Sequence, residues 1–270
     1  MSPTNWNSRP PGNTELPGGR SHVLKESSTR MAANRLVCHE LTKNYRNGFR
    51  LGPLTLELSA GVTCLVGANG AGKSTFFRMA AQVDRPTSGT VRLESSDDRA
   101  ALGYLPQEPS LPPAATCEEF LLYVAWLQKV PTGARQEAVA SALARVGLTD
   151  KRTAAVRSLS GGMRRRLGIA HAIVHDPALL LLDEPTVGLD PRQRIGLRET
   201  IANLGGDQIV IVSTHLVEDI RGLADRVIVL SDGAVMYDGD VAGLERQATP
   251  DAPGDTDLER SIAALMGAAV

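Results

Sequence analysis

The sequence has few cysteines, no excess of charge of either sign and no long apolar run, and each shortage argues against a class of protein. Its 270 residues include three cysteines, Cys38, Cys64 and Cys117, with no C-x-x-C pair. A disulfide framework or a cysteine zinc site is therefore not indicated, and a reducing cytoplasm is favoured. Lys plus Arg (29) nearly equal Asp plus Glu (30), so no overall field attracts nucleic acid or an anionic membrane. The longest apolar stretches, such as ALLLL and SIAALMGAAV, are shorter than the ~20 residues that span a bilayer.

The first part of the chain differs from the rest in composition. Residues 1 to 34 contain four prolines among Ser, Asn, Gly and Arg, with almost no apolar periodicity, so we expect a disordered tail. This segment has no continuous apolar run of the length that a secretory signal requires. The sequence also has no internal repeat of the period that predicts a solenoid or propeller.

From Leu36 onward, apolar spacing predicts an α/β fold. Residues 108 to 158 have helical spacing, with Phe120, Val124 and Leu127 on one apolar stripe, and predict an all-helical insert. The continuous apolar runs in ALLLLDEP and QIVIVSTH predict strands that are covered on both faces of a parallel sheet. Asp190 and the proline after it predict a helix start. Further signals predict strands in LVCHEL, LTLEL, VTCLVG, TVRLE and ALGYLP, a hairpin at Asp232-Gly233 and a C-terminal helix in DLERSIAALM.

A glycine-rich loop, GANGAGKST at residues 67 to 75, follows one predicted strand and begins a helix. In that context glycines let successive backbone N–H groups point at phosphate oxygens. The lysine then reaches the terminal phosphates, and the next hydroxyl can bind magnesium. The loop therefore predicts a nucleotide site with Gly67, Gly70 and Gly72 as the turn glycines, Lys73 on phosphate, Ser74 on the metal and Thr75 as a support.

Polar side chains follow three predicted strands. Asp183 and Glu184 end ALLLLDE, His215 ends IVIVSTH, and Gln107 ends ALGYLPQ. Because ligands bind at the carboxyl ends of parallel strands, we expect these groups at one edge of the sheet. Asp183 would orient magnesium, Glu184 would polarise an attacking water, His215 would donate to phosphate, and Gln107 would bind metal or water through its amide oxygen.

Two further groups have a structural and a functional interpretation. His171 and His175 stand four apart on a predicted helix, where they could share a metal, but no third ligand is near in sequence. We therefore interpret them as packing or surface residues. The run Arg164 to Arg166 could be a nucleic-acid patch, but in a chain of net charge -1 a solvated face or a docking surface is favoured.

A second phosphate-binding pattern lies at LSGGMRRR, where Ser160, Gly161 and Gly162 precede a predicted helix. Free N–H groups and the helix dipole favour an anion at such an N-terminus. The loop at residues 67 to 75 already accounts for one nucleotide. We therefore predict a head-to-tail dimer in which this serine and these glycines close over the nucleotide of the partner chain.

Together these motifs resemble the ATP-binding subunits of ABC transporters, and the likeness extends from about residue 35 to the end. It implies a P-loop NTPase (RecA-like) α/β core with an antiparallel β subdomain and an all-helical insert. It also implies ATP and Mg²⁺ as cofactors. The implied domains are an ATPase domain at 35–245, with the helical insert at about 108–158, and a C-terminal extension at 246–270. The nucleotide contacts that it implies are Tyr45 under adenine, Asn69 and Ala71 in the loop, and Asp190 after the second phosphate pattern.

The resemblance further implies ATP hydrolysis that drives transport through a separate membrane permease. The chain would be a homodimer or one of a pair of ATPase subunits on the cytoplasmic face of the membrane, with no nucleic-acid partner. LSGGMRRRL and the C-terminal helix are most similar to the drug and polysaccharide exporter branch. One departure is Met163, which replaces the family's usual glutamine and forms no strong hydrogen bond.

The alternative is a soluble ATPase of the same fold that acts on nucleic acid or ribosomes. Relatives that hold DNA ends have long coiled coils, for which the stretch from Gln107 to Ser160 has no room. Relatives in translation carry two ATPase units, whereas this chain has one phosphate loop. A small-molecule kinase would have no use for the second phosphate pattern.

Overall fold

The computed structural model describes residues 34–95, 102–206 and 208–267. The expected disordered tail lies outside the described residues apart from Asn34. Within the described ranges the strands are β1 (Arg35–Asn44), β2 (Arg50–Leu58), β3 (Gly61–Val66), β4 (Ser88–Glu94), β5 (Leu102–Leu105), β6 (Leu179–Asp183), β7 (Ile209–Thr214), β8 (Arg226–Ser231) and β9 (Ala234–Gly239).

Helices occur after the glycine-rich loop, in the insert, after Ser160, after Asp190 and near the C-terminus, as the sequence predicts. Three short 3₁₀ turns accompany them between α2 and α4. The α-helices of the described ranges are α1 (Lys73–Ala80), α2 (Cys117–Leu127), α3 (Arg135–Arg145), α4 (Gly161–Ile173), α5 (Pro191–Ala202), α6 (Val217–Leu223), α7 (Val241–Glu245) and α8 (Asp257–Leu265).

The main sheet has six strands in the order β5-β6-β7-β3-β8-β9. The first five run parallel, and β9 pairs antiparallel with β8 through the predicted hairpin at Asp232-Gly233. Because the parallel strands share one direction, the segments that follow β3, β5, β6 and β7 all leave the sheet at the same edge. This topology positions the phosphate loop beside the polar ends of β6 and β7.

The continuous apolar strands separate two cores. On β6, Leu180 and Leu182 belong to the core that includes α2 to α6, whereas Leu179 and Leu181 belong to the core that includes α1 and the smaller sheet. Successive side chains on a strand point to opposite faces, so both faces must be apolar when both are covered. The lack of alternation in ALLLL is therefore explained by helices on one face and a helix with a sheet on the other.

The smaller sheet is antiparallel, in the order β2-β1-β4. Leu36, Cys38 and Leu41 of β1 point into the core that also contains Phe76 and Phe77 of α1. The sheet therefore covers the helix that begins in the phosphate loop. This is the antiparallel β subdomain that the sequence predicts.

A helical layer formed by α2, α3 and α4 packs against the main sheet. Thr116 caps α2 by accepting from the Glu119 N–H at 3.2 Å, and the Glu119 carboxylate accepts the Thr116 N–H in return. Phe120 and Val124 are buried as expected, but Leu127 is 52% exposed. Leu127 therefore does not share the burial of the other two residues of its stripe, because the chain from Trp126 to Lys129 is exposed and leaves the end of α2 uncovered.

In the described part of the chain, we find no helix with the length and apolar character required to cross a membrane. The C-terminal helix α8 packs Leu258 and Ile262 into the core on the helical face of the main sheet.

Candidate functional site

The glycine-rich loop forms a turn between β3 and α1. Gly70 and Gly72 have φ of 89° and 109°, which L side chains rarely adopt. A Cβ at Gly67 would lie 2.5 Å from the Leu230 carbonyl oxygen of β8, so the neighbouring strand also requires glycine there. The Lys73 ammonium donates to the carbonyl oxygens of Gly67 at 2.6 Å and Ala68 at 3.2 Å. Burial lowers the pKa of Lys73.

The loop lines an open pocket of about 590 Å³. Tyr45 lies at its rim beside Phe49, with ring centroids 6.2 Å apart. The family resemblance implies Tyr45 but does not identify Asn47 and Phe49, which line the pocket from the turn between β1 and β2. The other lining residues are Ala68, Asn69, Gly70, Gly72, Lys73, Ser74, Thr75, Gln107 and Glu184. Four segments that are distant in sequence thus meet in this pocket, and three of them follow parallel strands of the main sheet.

Asp183 ends β6 and is 6% exposed. The Ser213 hydroxyl of β7 donates to its Oδ1 at 2.5 Å. Burial raises the pKa of the Asp183 carboxyl, although the Ser213 hydrogen bond and nearby cationic Lys73 act in the opposite direction. Ser213 is a contact that sequence reasoning missed. Its position opposite Asp183 in the parallel register of β6 and β7 is the signal that could have identified it.

Glu184 has φ of 45°, a left-handed conformation that is uncommon outside glycine. Its N–H donates to the hydroxyl oxygen of Ser213 at 2.9 Å. Its side chain diverges from that of Asp183: Oε1 lies 3.3 Å from His215 Nδ1, and Oε2 accepts from Gln107 Nε2 at 3.4 Å. The structure therefore brings Gln107, Glu184 and His215 together, which the sequence could predict only as three groups at one edge.

The donor atoms of this edge fit a magnesium nucleotide. In residues 34–95, 102–206 and 208–267, we find no cluster of three or more His, Cys, Asp or Glu side chains that could hold a metal. A cation here would therefore need oxygens from outside the chain in addition to Asp183 and the Ser74 hydroxyl. Mg²⁺ commonly binds in this way, through one or two protein oxygens together with substrate phosphates and water.

The second phosphate pattern begins α4, as predicted. The Ser160 Oγ accepts from the Met163 N–H at 3.3 Å and caps the helix. Asp190 caps α5 in the same way, with Oδ1 accepting from the Gln193 N–H at 2.8 Å. Although all of them are described residues, none of Ser160 to Gly162 or Asp190 lines the pocket around Lys73. Within one chain, these predicted nucleotide contacts therefore lie outside the pocket that the glycine-rich loop forms.

Arg165 corrects the interpretation of the arginine run as a solvated face. Arg164 is exposed, but Arg165 is 8% exposed, and its guanidinium donates to backbone carbonyls at the pocket edge. Helical spacing gives a signal for this burial. Gly162, Gly168, Ile169 and Ala172, three, four and seven positions away, lie on the buried face of α4.

The two histidines of α4 and the turn after it take part in packing. His171 stacks on Phe120 of α2, with ring centroids 5.5 Å apart and planes 9° from parallel. His175 Nε2 lies 3.2 Å from the carbonyl oxygen of Leu102. Burial lowers the pKa of both rings, which favours neutral imidazole. His171 therefore joins two helices of the helical layer.

Comparison with known proteins agrees with this geometry. The ABC transporter family profile matches residues 51–187. The ABC transporter ATP-binding protein YxlF of Bacillus subtilis is 34% identical over 78% of this chain and 73% of its own length. The methionine import ATP-binding protein MetN of Corynebacterium jeikeium is 33% identical over 80% of this chain, which spans 63% of that relative. The daunorubicin/doxorubicin resistance ATP-binding protein DrrA of Streptomyces peucetius is 34% identical over 85% of this chain and 75% of its own length.

Solved structures give the same result. CbiO1 of Clostridium perfringens, described as part of the ABC transporter complex CbiONQ, superposes with a TM-score of 0.68 at 28% identity. The match covers 76% of this chain and 88% of that chain. The α/β architecture is thus that of a P-loop NTPase, as predicted. This chain belongs to the ABC transporter family and contains its ATP-binding domain.

Proposed function

We propose that this chain is the ATP-hydrolysing subunit of an ABC transporter, works as a dimer and drives export through a separate membrane permease. The observation that carries the proposal is the composition of the pocket. The phosphate loop, the Glu184 carboxylate and Gln107 line one pocket, His215 contacts that carboxylate, and the second phosphate pattern lies outside the pocket. The ATPase domain is assigned to residues 35–245, with a helical insert at about 108–158 and an extension at 246–270.

Each of these residues has a separate role in the proposed hydrolysis. When bound, ATP with Mg²⁺ supplies the phosphoryl group and a cation that offsets its negative charge. The loop N–H groups and Lys73 would bind the phosphates, and Ser74 and Asp183 would hold the metal. Glu184 orients a water and accepts its proton, while Gln107 and His215 fix the carboxylate from both sides at 3.4 Å and 3.3 Å. Tyr45 supports the adenine.

The dimer completes the site. Gly161 is exposed at the start of α4, and a Cβ there would meet no atom within 4 Å in the single chain. A helix N-terminus that is capped and open in this way can face a phosphate of the partner's nucleotide. Asp190 would lie at the same interface. ATP then joins two chains, and loss of its terminal phosphate lets them separate.

A permease is the expected membrane partner. Tyr123, Trp126 and Leu127 of α2 are more than half exposed, and the two aromatic rings lie 5.9 Å apart. Tyr123 also lines an apolar cavity of about 500 Å³, together with Leu111, Pro112 and Pro113. This surface supports a location on the cytoplasmic face of the membrane, held there by the permease. The helical insert follows Gln107 directly and so can transmit changes at the nucleotide.

Export is proposed from the resemblance to the drug and polysaccharide exporter branch. DrrA is described as a daunorubicin/doxorubicin resistance protein, and LSGGMRRRL resembles the corresponding segment of that branch. The name of MetN states import. The names of the relatives therefore differ in transport direction, and the proposal of export is independent of the proposal of ATP hydrolysis.

A substitution of Glu184 tests hydrolysis and dimerisation together. We expect Glu184→Gln to bind MgATP with unchanged affinity, to lose at least about 100-fold in turnover, and to remain a dimer with ATP, since only proton acceptance is removed. Phosphate release and size-exclusion chromatography with light scattering measure both properties. The wild type is the control, and a hydrolysing Glu184→Gln variant would contradict the assigned role.

A pull-down separates the transporter from the soluble alternative. The tagged Glu184→Gln chain is incubated with MgATP and detergent-solubilised membranes of its own cells. A single protein with many membrane spans that binds in equal amount supports the proposal. Ribosomal proteins or nucleic acid in its place would favour the soluble ATPase.

A further inference from the structure

Arg165 is a buried cation whose donors are taken up by main-chain oxygens. Nε donates to the Pro185 carbonyl at 2.7 Å, Nη1 donates to the Gln107 carbonyl, and Nη2 donates to the Glu184 carbonyl and to that of Asp183 at 3.4 Å. All of these contacts cross between elements that are distant in sequence. The guanidinium is therefore attached to the backbone of two segments that carry proposed catalytic side chains.

Packing alone does not explain why a charged arginine is buried at position 165. Burial disfavours the charged guanidinium, while the nearby carboxylates of Asp183 and Glu184 favour it. Arginine nevertheless stays protonated in proteins, and its planar fork has five N–H donors in fixed directions. An apolar residue of similar size would leave buried carbonyl oxygens without a donor. A lysine would keep the charge but could not span the same set of carbonyls.

Three of the carbonyls that accept from Arg165, those of Asp183, Glu184 and Pro185, belong to the strained turn at Glu184. Ser213 holds the N–H side of that residue, at 2.9 Å from the hydroxyl oxygen, and Arg165 holds the carbonyl side. A non-glycine residue with φ of 45° persists only when its surroundings fix it from several directions. Arg165 also lies on the second turn of α4, whose N-terminus is Ser160.

We propose that Arg165 is a positioning residue that ties the start of α4 to Gln107 and to the left-handed turn at Glu184. Its guanidinium sets the distance between the Gln107 segment and the Glu184 carboxylate. It also couples the pocket of one chain to the helix end that faces the nucleotide of the partner. The second statement depends on the proposed dimer, whereas the first concerns a single chain.

The test uses Arg165→Met and Arg165→Lys, with Arg164→Met as the matched control. Arg164 is the neighbouring arginine of α4, is exposed, and donates to one carbonyl, that of Leu159 at 2.8 Å. For Arg165→Met we expect at least a ten-fold lower kcat for ATP, with the dissociation constant of a fluorescent ATP analogue within about three-fold of wild type. Arg165→Lys should be intermediate, and Arg164→Met should match wild type.

A nucleotide-free measurement accompanies the kinetics. Hydrogen exchange by mass spectrometry should show faster exchange in the peptides that contain residues 184–189 and 107–109 of the Arg165 variants. Exchange in β6 and β7 should stay unchanged, because the sheet does not depend on the guanidinium. Thermal unfolding verifies that each variant is folded; if Arg165→Met is not, Arg165→Lys carries both comparisons.

The outcomes separate the two proposals. If the wild type does not hydrolyse ATP, the proposed function is wrong, and the exchange data still test whether Arg165 fixes the turn. If the wild type hydrolyses ATP and both Arg165 variants keep kcat within two-fold of Arg164→Met, the positioning role is wrong. Equal losses in kcat, nucleotide binding and β6 protection would also overturn it, because they indicate general destabilisation.

Discussion

The Asp183 carboxylate is buried and has little access to water. It is 6% exposed, and burial raises its pKa above the usual Asp range. The folded protein therefore binds this proton more tightly than the unfolded chain does. By linkage, stability is lost as the pH rises from the unfolded pKa through the raised folded pKa, and it is regained as the pH falls through that window. When deprotonated, the buried carboxylate lowers stability and is available to a cation.

We predict that Asp183→Asn raises the Tm of the nucleotide-free protein by a few degrees at pH 7 and removes the further rise that MgATP gives. The amide oxygen can still accept the Ser213 hydrogen bond but has no charge to bury. The gain should shrink as the pH is lowered through the raised pKa of Asp183. Thermal unfolding between pH 5 and 8, with and without MgATP, measures both effects. Asp251→Asn, an exposed loop change, is the control, and a lower Tm for Asp183→Asn would contradict this account.

Helix α2 shows how an element can be stable and still leave an apolar surface. Its start is fixed by the reciprocal hydrogen bonds of Thr116 and Glu119, and its inner face packs Phe120 and Leu121. Its last turn presents Trp126 and Leu127 to solvent. Large apolar side chains that are exposed together indicate an interaction site more often than isolated ones do.

We predict that Trp126→Glu reduces recovery of the membrane partner in the pull-down by about ten-fold or more and leaves ATP turnover of the isolated chain within two-fold. A charge at a desolvated contact is costly, whereas the nucleotide pocket lies on another surface. Val83→Glu alters a residue that is 61% exposed and lies outside α2, and it serves as the control. Undiminished recovery with Trp126→Glu would exclude this surface.

In the proposed dimer, each nucleotide site is complete only when two chains assemble. The pocket contains Lys73 and Glu184, but Gly161 lies elsewhere on the same chain. A substitution at Gly161 has free space in the single chain, so its effect on hydrolysis reports on the interface. A substitution at Gly161 therefore alters the proposed interface without altering the pocket that contains Lys73 and Glu184.

We predict that Gly161→Glu leaves the fold and ATP binding intact and lowers ATP turnover at least about 100-fold, because a carboxylate would face the partner's phosphates. Mixing it with Lys73→Met chains should restore part of the activity, since one composite site is then intact. Phosphate release measures the turnover. Gly133→Glu, another glycine with free space around it, is the control. Full activity of Gly161→Glu, or of a strictly monomeric preparation, would contradict the two-chain site.

Much of the fold and several candidate groups could be predicted from short segments. The phosphate loop needs nine adjacent residues, and the helix starts at Ser160 and Asp190 need a side chain and the N–H three positions on. The continuous apolar runs of β6 and β7 predict covered parallel strands. Phe49 and Ser213 were not found, because their relevance depends on the segments that lie beside them.

The sequence by itself determined the strand order along the chain, the glycine-rich loop and the presence of polar groups after β5, β6 and β7, because local sterics and apolar spacing suffice for these. Only the tertiary structure decided which backbone carbonyls Arg165 contacts, that Leu127 faces solvent, and that Gln107 and His215 both contact Glu184. These features depend on which distant segments pack together, and burial and hydrogen bonding are properties of that packing.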